Sequence, residues 1–267
     1  MKIKFIFVVI VAMFAVSISP ILVQAVLQNS LQINNDSHIS GISLSLAFWR
    51  MAIGSCILWI FTFFNRQKTI STINRNYSII SGFFLALHFY FFFESIRLSN
   101  ISNATFLGTL APIFTMFIEI FFLRRGVSYK IILPILVIIF GSSILVYEDF
   151  DFSTTKTIGN IYAILCSLWF GICFIISDKV RQTEGTINYS KILYTSAALT
   201  LYIIANYYNV DLYNFNFKNT IYILLLGIIP NLLGHNLLYY SIKYISPTIV
   251  SCIPLGEPVI ASVLAYF

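Results

Sequence analysis

Charged residues are few. The 267 residues include 16 Lys and Arg and 10 Asp and Glu, 10% of the chain, against roughly 25% in an ordinary soluble domain. So few charges cannot cover a water-soluble enzyme or binding module, and that class is excluded. Disorder is excluded by the opposite excess, because apolar residues are too many. The net charge is +6, but no basic stripe accompanies it, which argues against a nucleic-acid partner. The four cysteines, Cys56, Cys166, Cys173 and Cys252, match no zinc or redox spacing. They fall in apolar stretches and read as small buried apolar residues. Histidine is rarer still, at three. No third ligand stands at convincing spacing from any pair, so neither a metal nor a cofactor is expected. Phosphate-cradling loops, nucleophile elbows and HExxH sequences are absent, which argues against ATP-driven transport by this chain alone.

What the sequence has is long hydrophobic runs. Apolar residues make up 58% of the chain and the mean hydropathy is +0.87. A spanning helix needs about 20 apolar residues. Runs of that kind occupy 5–27, 43–64, 78–96, 101–123, 131–147, 159–177, 191–208, 220–242 and 246–267. They are continuous rather than alternating, which predicts helices and not a barrel. Tyr77, Tyr147 and Tyr208 stand near run ends, as an interfacial aromatic belt requires.

Alternating these spans from a cytoplasmic N-terminus puts Lys2, Lys4, Arg66, Lys68, Arg75, Arg124, Arg125, Lys130, Lys179, Arg181, Lys191 and Lys243 inside. Only Arg97, Lys156 and Lys218 lie outside. That asymmetry is the positive-inside pattern, and it places the protein in the cell inner membrane, multi-pass. The acidic loop Glu148–Asp151 then faces out. Residues 1–27 also carry signal-peptide features, Lys2 and Lys4 followed by Val23-Gln24-Ala25. Their apolar run is longer than an ordinary signal core and reads as the first span.

The chain repeats itself at an offset of about 146 residues, as the numbers of Ser95 and Ser241 show. The same offset pairs Arg97 with Lys243, Ser102 with Thr248, Thr105 with Ser251 and Pro112 with Pro258; His88 and His235 miss it by one. Five spans separate the two links, an odd number, so the copies must cross the membrane in opposite senses. Inverted repeats of this kind place a solute site near the midplane between the halves.

These residues carry a family resemblance. Ser45-Leu46-Ala47-Phe48-Trp49-Arg50 opens the second span. Ser95-Ile96-Arg97-Leu98-Ser99 leads to Leu110-Ala111-Pro112-Ile113-Phe114. Ile158-Gly159-Asn160 opens the sixth span, with Trp169 following. Ser241-Ile242-Lys243-Tyr244-Ile245-Ser246 leads to Gly256-Glu257-Pro258-Val259. In this order and spacing the chain resembles the EamA branch of the drug/metabolite transporter superfamily over nearly its whole length. The resemblance implies an all-α polytopic membrane protein of two inverted repeats of five transmembrane helices, here residues 1–150 and 158–267. It also implies carriage of small metabolites or amino acids, often outward. Two departures stand out. The turn after the fourth helix reads Leu123-Arg124-Arg125-Gly126, without the family's acid, and the sequence ends at Phe267 inside an apolar run. The expectation is therefore a second repeat of four helices, with the tenth helix missing.

Ionisable groups inside a membrane need a reason. His88 and His235 fall mid-span at nearly equivalent repeat positions; each reads either as a helix-to-helix hydrogen bond or as a cavity wall. Glu257 stands between Gly256 and Pro258, backbone breakers that open carbonyls to a cavity. It reads as a structural hydrogen bond or as an acceptor of a proton or a substrate amine. Arg50 lies about two turns inside its span, within snorkelling reach or placed to hold a substrate carboxylate. Asn231 and Asn236 flank His235. Glu94 and Glu119 lie near span ends and are expected to reach water or basic neighbours. Pro112 and Pro258 are expected to kink their helices, and Trp169 and Phe170, before Gly171, read either as an aromatic wall or as packing between helices.

The expected substrate-binding set is Glu257, His88, His235, Arg50 and Asn231, with no catalytic residue and no metal. The expected partners are a small-molecule solute and the lipid bilayer, and the chain is expected to be a monomer or homodimer. The leading function is secondary transport by alternating access. The alternatives are a membrane enzyme acting on a lipid-linked substrate, for which the acidic loop gives weak support, and an inactive truncated transporter remnant.

Overall fold

The computed structural model describes residues 2–33, 41–65, 69–126, 128–146, 154–213 and 215–266. The acidic loop Glu148–Asp151, Tyr147, Arg66, Lys68 and Phe267 lie outside the described residues. The elements are α1 (Lys2–Ser17), α2 (Ser19–Ile33), α3 (Ile42–Phe64), α4 (Thr72–Leu98), α5 (Ile101–Gly108), α6 (Ala111–Phe117), α7 (Tyr129–Val146), α8 (Thr154–Arg181), α9 (Thr186–Tyr207), α10 (Phe217–Leu226), α11 (Asn236–Ile242), α12 (Pro247–Ser251) and α13 (Glu257–Tyr266).

Every expected apolar run is helical. Among the described residues, six helical stretches are long and apolar enough to cross a membrane: Lys4–Ser30, Ile42–Phe64, Thr72–Leu98, Ile101–Phe122, Thr155–Arg181 and Phe217–Ile242. The helices α7 and α9 and the stretch Pro247–Tyr266 occupy the other runs. Apolar side chains cover both the inside and the outside. Leu85, Phe89, Phe93, Phe174 and Leu193 are buried, while Phe63, Phe64, Phe121, Phe122, Leu133 and Phe140 are exposed. A water-soluble surface rarely presents so much exposed apolar area, whereas lipid tails solvate it at no cost.

The spine is a pair of unbroken helices. α4 packs along α8, and α9 lies against both α4 and α3. Lipid gives helices no hydrophobic reason to associate, so polar contacts matter here. The Ser81 hydroxyl meets Tyr189 Oη at 2.7 Å, and Tyr189 also bonds Ser177. Near the start of α3 the Ser45–Arg50 motif holds the α9–α10 connection. Ser45 Oγ donates to the Asp211 carbonyl at 3.1 Å and Trp49 Nε1 to the Leu212 carbonyl at 2.6 Å.

Around this spine, four helical stretches are interrupted, each at proline. Proline cannot donate to the carbonyl four residues earlier. Pro20 stands just after the α1–α2 break at Ile18. Pro112 follows the α5–α6 break at Thr109 and Leu110. Pro230 lies in a π-helical stretch, Gly227–His235, between α10 and α11. Pro254 lies in a 3₁₀ turn, Ile253–Gly256, between α12 and α13, and Pro258 follows it. The expected kinks at Pro112 and Pro258 are present; those at Pro20 and Pro230 are additional.

One sequence reading changes. Cys56 is exposed on the outer face rather than buried, because its side of α3 faces away from the spine. Glu119 and Glu94 meet basic neighbours, the second of their two expected settings, rather than water, being only 2% and 5% exposed. Glu94 pairs with Arg97 at 2.7 Å. Glu119 crosses to α12, where Oε2 accepts from the Thr248 N–H at 3.3 Å and the Thr248 hydroxyl at 2.5 Å. Its other oxygen meets Arg125 at 3.5 Å, and Arg125 pairs with Asp178 at 2.6 Å. The carboxylate thus satisfies donors at the start of α12, where acids are favoured.

Candidate functional site

The four interruptions converge. Ser19 at the first, Thr109 and Ala111 at the second, His235 at the third, and Ser251, Pro254 and Glu257 at the fourth line one enclosed cavity. The spine closes it with His88 and Phe89 from α4 and Phe170 from α8. The space amounts to about 20 Å³, room for about one water molecule. Interrupted helices at membrane depth are tolerated where they line such a cavity, and π-helical turns recur at functional sites.

Each polar side chain has a definite setting. His88 Nδ1 lies 3.1 Å from the Cys166 carbonyl. A carbonyl only accepts, so Nδ1 carries the proton and Nε2 of the neutral ring is an acceptor. The His88 ring stacks on Phe170 at 4.1 Å, and its centroid is 6.3 Å from that of His235. The Nδ1 of His235 has no hydrogen-bond partner. Glu257 is 6% exposed, and its Oε1 is likewise unpartnered. The repeat offset matches Glu257 with Ala111, which lines the same cavity with a methyl group.

Arg50 does not snorkel. It is fully buried, and Nη1 donates to Ser19 Oγ at 2.6 Å. The guanidinium lies 4.0 Å above the Phe89 ring and 5.8 Å from Phe93, a cation–π setting that replaces part of its hydration. Nε and Nη2 have no partner. Among the described residues no ion pair joins Arg50 to Glu257. Asn231 Nδ2 donates to the Arg50 carbonyl at 3.1 Å, which steadies the arginine from behind. That approach requires Gly54, since a Cβ there would fall 2.3 Å from Asn231 Nδ2. Asn236 stands one shell out, accepting from Tyr194 Oη at 3.3 Å.

Of the five expected site residues, His88, His235 and Glu257 line this cavity; Arg50 lies behind the lining residues Ser19 and Phe89, and Asn231 lies behind Arg50. Sequence reasoning missed Ser19 and Phe89, whereas it weighs Phe170 as part of an aromatic wall. For Ser19 a signal existed, the following Pro20 in an apolar run. Trp169 faces away from this group and stacks on Phe84 at 5.7 Å. Among the described residues no cluster of three His, Cys, Asp or Glu groups is arranged to hold a metal ion. Chemically, the cavity offers acceptors at Glu257 and His88 between aromatic side chains, with the Arg50 donors lying behind Ser19 and Phe89.

Comparison with known proteins gives three findings. The sequence model of the EamA-like transporter family matches residues 3–147 and 157–267. The chain is 20% identical over 190 residues to "Uncharacterized transporter YxxF" of Bacillus subtilis (strain 168), a match spanning 70% of this chain and 60% of that protein's length. The fold superposes on that of a protein of known crystal structure with a TM-score of 0.71. There, 98% of this chain and 86% of the other are covered at 14% identity.

Proposed function

The chain belongs to the EamA-like transporter family, and from that premise we propose that it carries a small zwitterionic solute, an amino acid or related metabolite, across the bacterial inner membrane by alternating access. Residues 1–150 and 158–267 act as two inverted repeats that rock about the cavity. The observation that supports this reading is the set of unpartnered polar atoms on Glu257 and His235 in the cavity wall and on Arg50 behind the lining residues Ser19 and Phe89. Unsatisfied groups inside a membrane are costly, and a solute bearing both signs of charge satisfies them together. Its anionic group takes the free Nε and Nη2 of Arg50. Its cationic group takes Glu257, with His88 and His235 beside it. Asn231 and Ser19 hold Arg50, while Phe89 and Phe170 flank the solute.

The test is flux. The purified chain is placed in vesicles preloaded with labelled amino acids, and efflux should exceed that of protein-free vesicles. Efflux equal to that of empty vesicles for every amino acid tried refutes the reading.

Orientation is a separate expectation. The end carrying Arg75, Arg124, Arg125 and Lys179 faces the cytoplasm with the N-terminus. In a background with Cys56 replaced by Ser, Tyr213→Cys should react with an impermeant thiol reagent added to intact cells, and Ser71→Cys only after lysis. The reverse pattern overturns the orientation.

A further inference from the structure

At the end of the spine where Arg125 meets Asp178, a cleft of about 430 Å³ opens between α4, the connection after α6, and α8. Its apolar wall is Leu123, Ile175 and Ile176, and its rim carries Tyr77, Arg125 and Lys179. Nothing in the transport reading uses it. We propose that this cleft binds the phosphate headgroup of an anionic membrane lipid, with an acyl chain lying along Ile175 and Ile176.

Charge complementarity supports this occupant. Among the described residues, Arg75, Arg124, Lys130, Lys179, Arg181 and Lys243 have no carboxylate within ion-pair distance; the one cation so paired at this end of the spine is Arg125, with two contacts. The protein therefore leaves several cations uncompensated at this end. Anionic lipid headgroups are the countercharge a bilayer supplies there. The cleft concentrates that need in one place. Lys179 is exposed, and its ammonium is held by neutral groups only, donating to Tyr77 Oη at 2.6 Å and lying 4.1 Å from the Tyr77 ring centroid. Arg125 is anchored by Asp178, whose hydrogen bond raises the guanidinium pKa above its ordinary value. Half of the Arg125 side chain remains exposed, leaving donors for a second anion. Beneath both cations the wall is apolar, as an acyl chain requires and a free phosphate ion does not.

The full chain in neutral detergent is offered dioleoylphosphatidylglycerol and dioleoylphosphatidylcholine in equal amounts, and retained lipid is counted by native mass spectrometry. One phosphatidylglycerol should be retained at least about fivefold over phosphatidylcholine, as one basic contact to an anionic headgroup supplies. Lys179→Gln should abolish the preference, Lys179→Arg should keep it, and Lys243→Gln, remote from the cleft, should leave it unchanged. If Lys179→Gln does not purify, Ile176→Trp, which fills the cleft, takes its place with the same expectation. Equal retention of the two lipids overturns the proposal, as does an unaltered preference in Lys179→Gln. Displacement of phosphatidylglycerol by millimolar inorganic phosphate also overturns it, because the site then holds a free anion.

Discussion

Glu257→Gln should leave the protein in the membrane at its normal abundance and cut transport at least about tenfold, equivalent to about 1.4 kcal/mol. The substitution keeps size and most hydrogen-bonding capacity, and Oε1 has no partner in the structure, so little folding energy depends on the carboxylate. What is lost is the ionisable acceptor proposed for the solute's cationic group. The repeat offset sharpens the expectation. A requirement shared by both halves would place similar groups at both related positions, yet Glu257 is matched by Ala111. An asymmetric solute needs its polar partner on one side only. Flux in vesicles and protein quantity in membranes are measured together. Normal flux in Glu257→Gln would make the residue structural and the proposed site wrong, as would its disappearance from the membrane.

The other large effect should come from Gly82→Val, through the spine rather than the cavity. Gly82 of α4 faces α9, where a Cβ would lie 2.5 Å from the Leu193 carbonyl oxygen and 2.6 Å from Ser196 Cβ. A backbone carbonyl inside a helix cannot rotate aside, so α4 and α9 must separate. That also strains the Ser196 hydroxyl's bond to the Ile79 carbonyl, now 2.7 Å. Overpacking of this kind costs about 1–3 kcal/mol, and close small-residue contacts are a main source of helix association in lipid. Thermal unfolding in detergent should fall markedly for Gly82→Val. Gly141→Ala, where a Cβ meets nothing within 4 Å, should be neutral or slightly stabilising through helix propensity. Equal melting of Gly82→Val and wild type would show that the α4–α9 seam is looser than it is here.

The helical runs were legible because a bilayer demands continuous apolar stretches, and each stretch declares itself without reference to its neighbours. The interruptions were half legible. Pro112 and Pro258 stood out through the repeat, whereas Pro20 and Pro230 carry the same backbone consequence without repeat partners. His88 and His235 were traceable to a shared depth by their near-equivalent positions. The setting of Arg50 was not legible. Whether an arginine two turns inside a span snorkels or turns inward depends on Phe89, Phe93 and Ser19, which lie on other helices and carry no common periodicity. Glu119 was half legible for a related reason. Its position near a span end predicted water or a basic neighbour, and Arg125 is that neighbour, but its further partner is the start of α12, 129 residues later, and only tertiary packing reveals that. Cys56 shows the limit of apolar composition itself, which does not distinguish a side chain facing protein from one facing lipid.

The size of the cavity has a consequence for any measured affinity. A space of about 20 Å³ does not admit an amino acid; if the halves rock as proposed, a solute binds only the fraction of molecules in which they have parted. The apparent dissociation constant is then the intrinsic one divided by that fraction. Contacts that fasten the shut form act on affinity from a distance. The Thr115–Ser251 hydroxyl pair, 2.9 Å apart between α6 and α12, is one such fastening, and so is the Glu119–Thr248 contact. A substitution that loosens either can tighten apparent binding without touching the solute. Affinity gained this way would come with a larger resting population of open molecules.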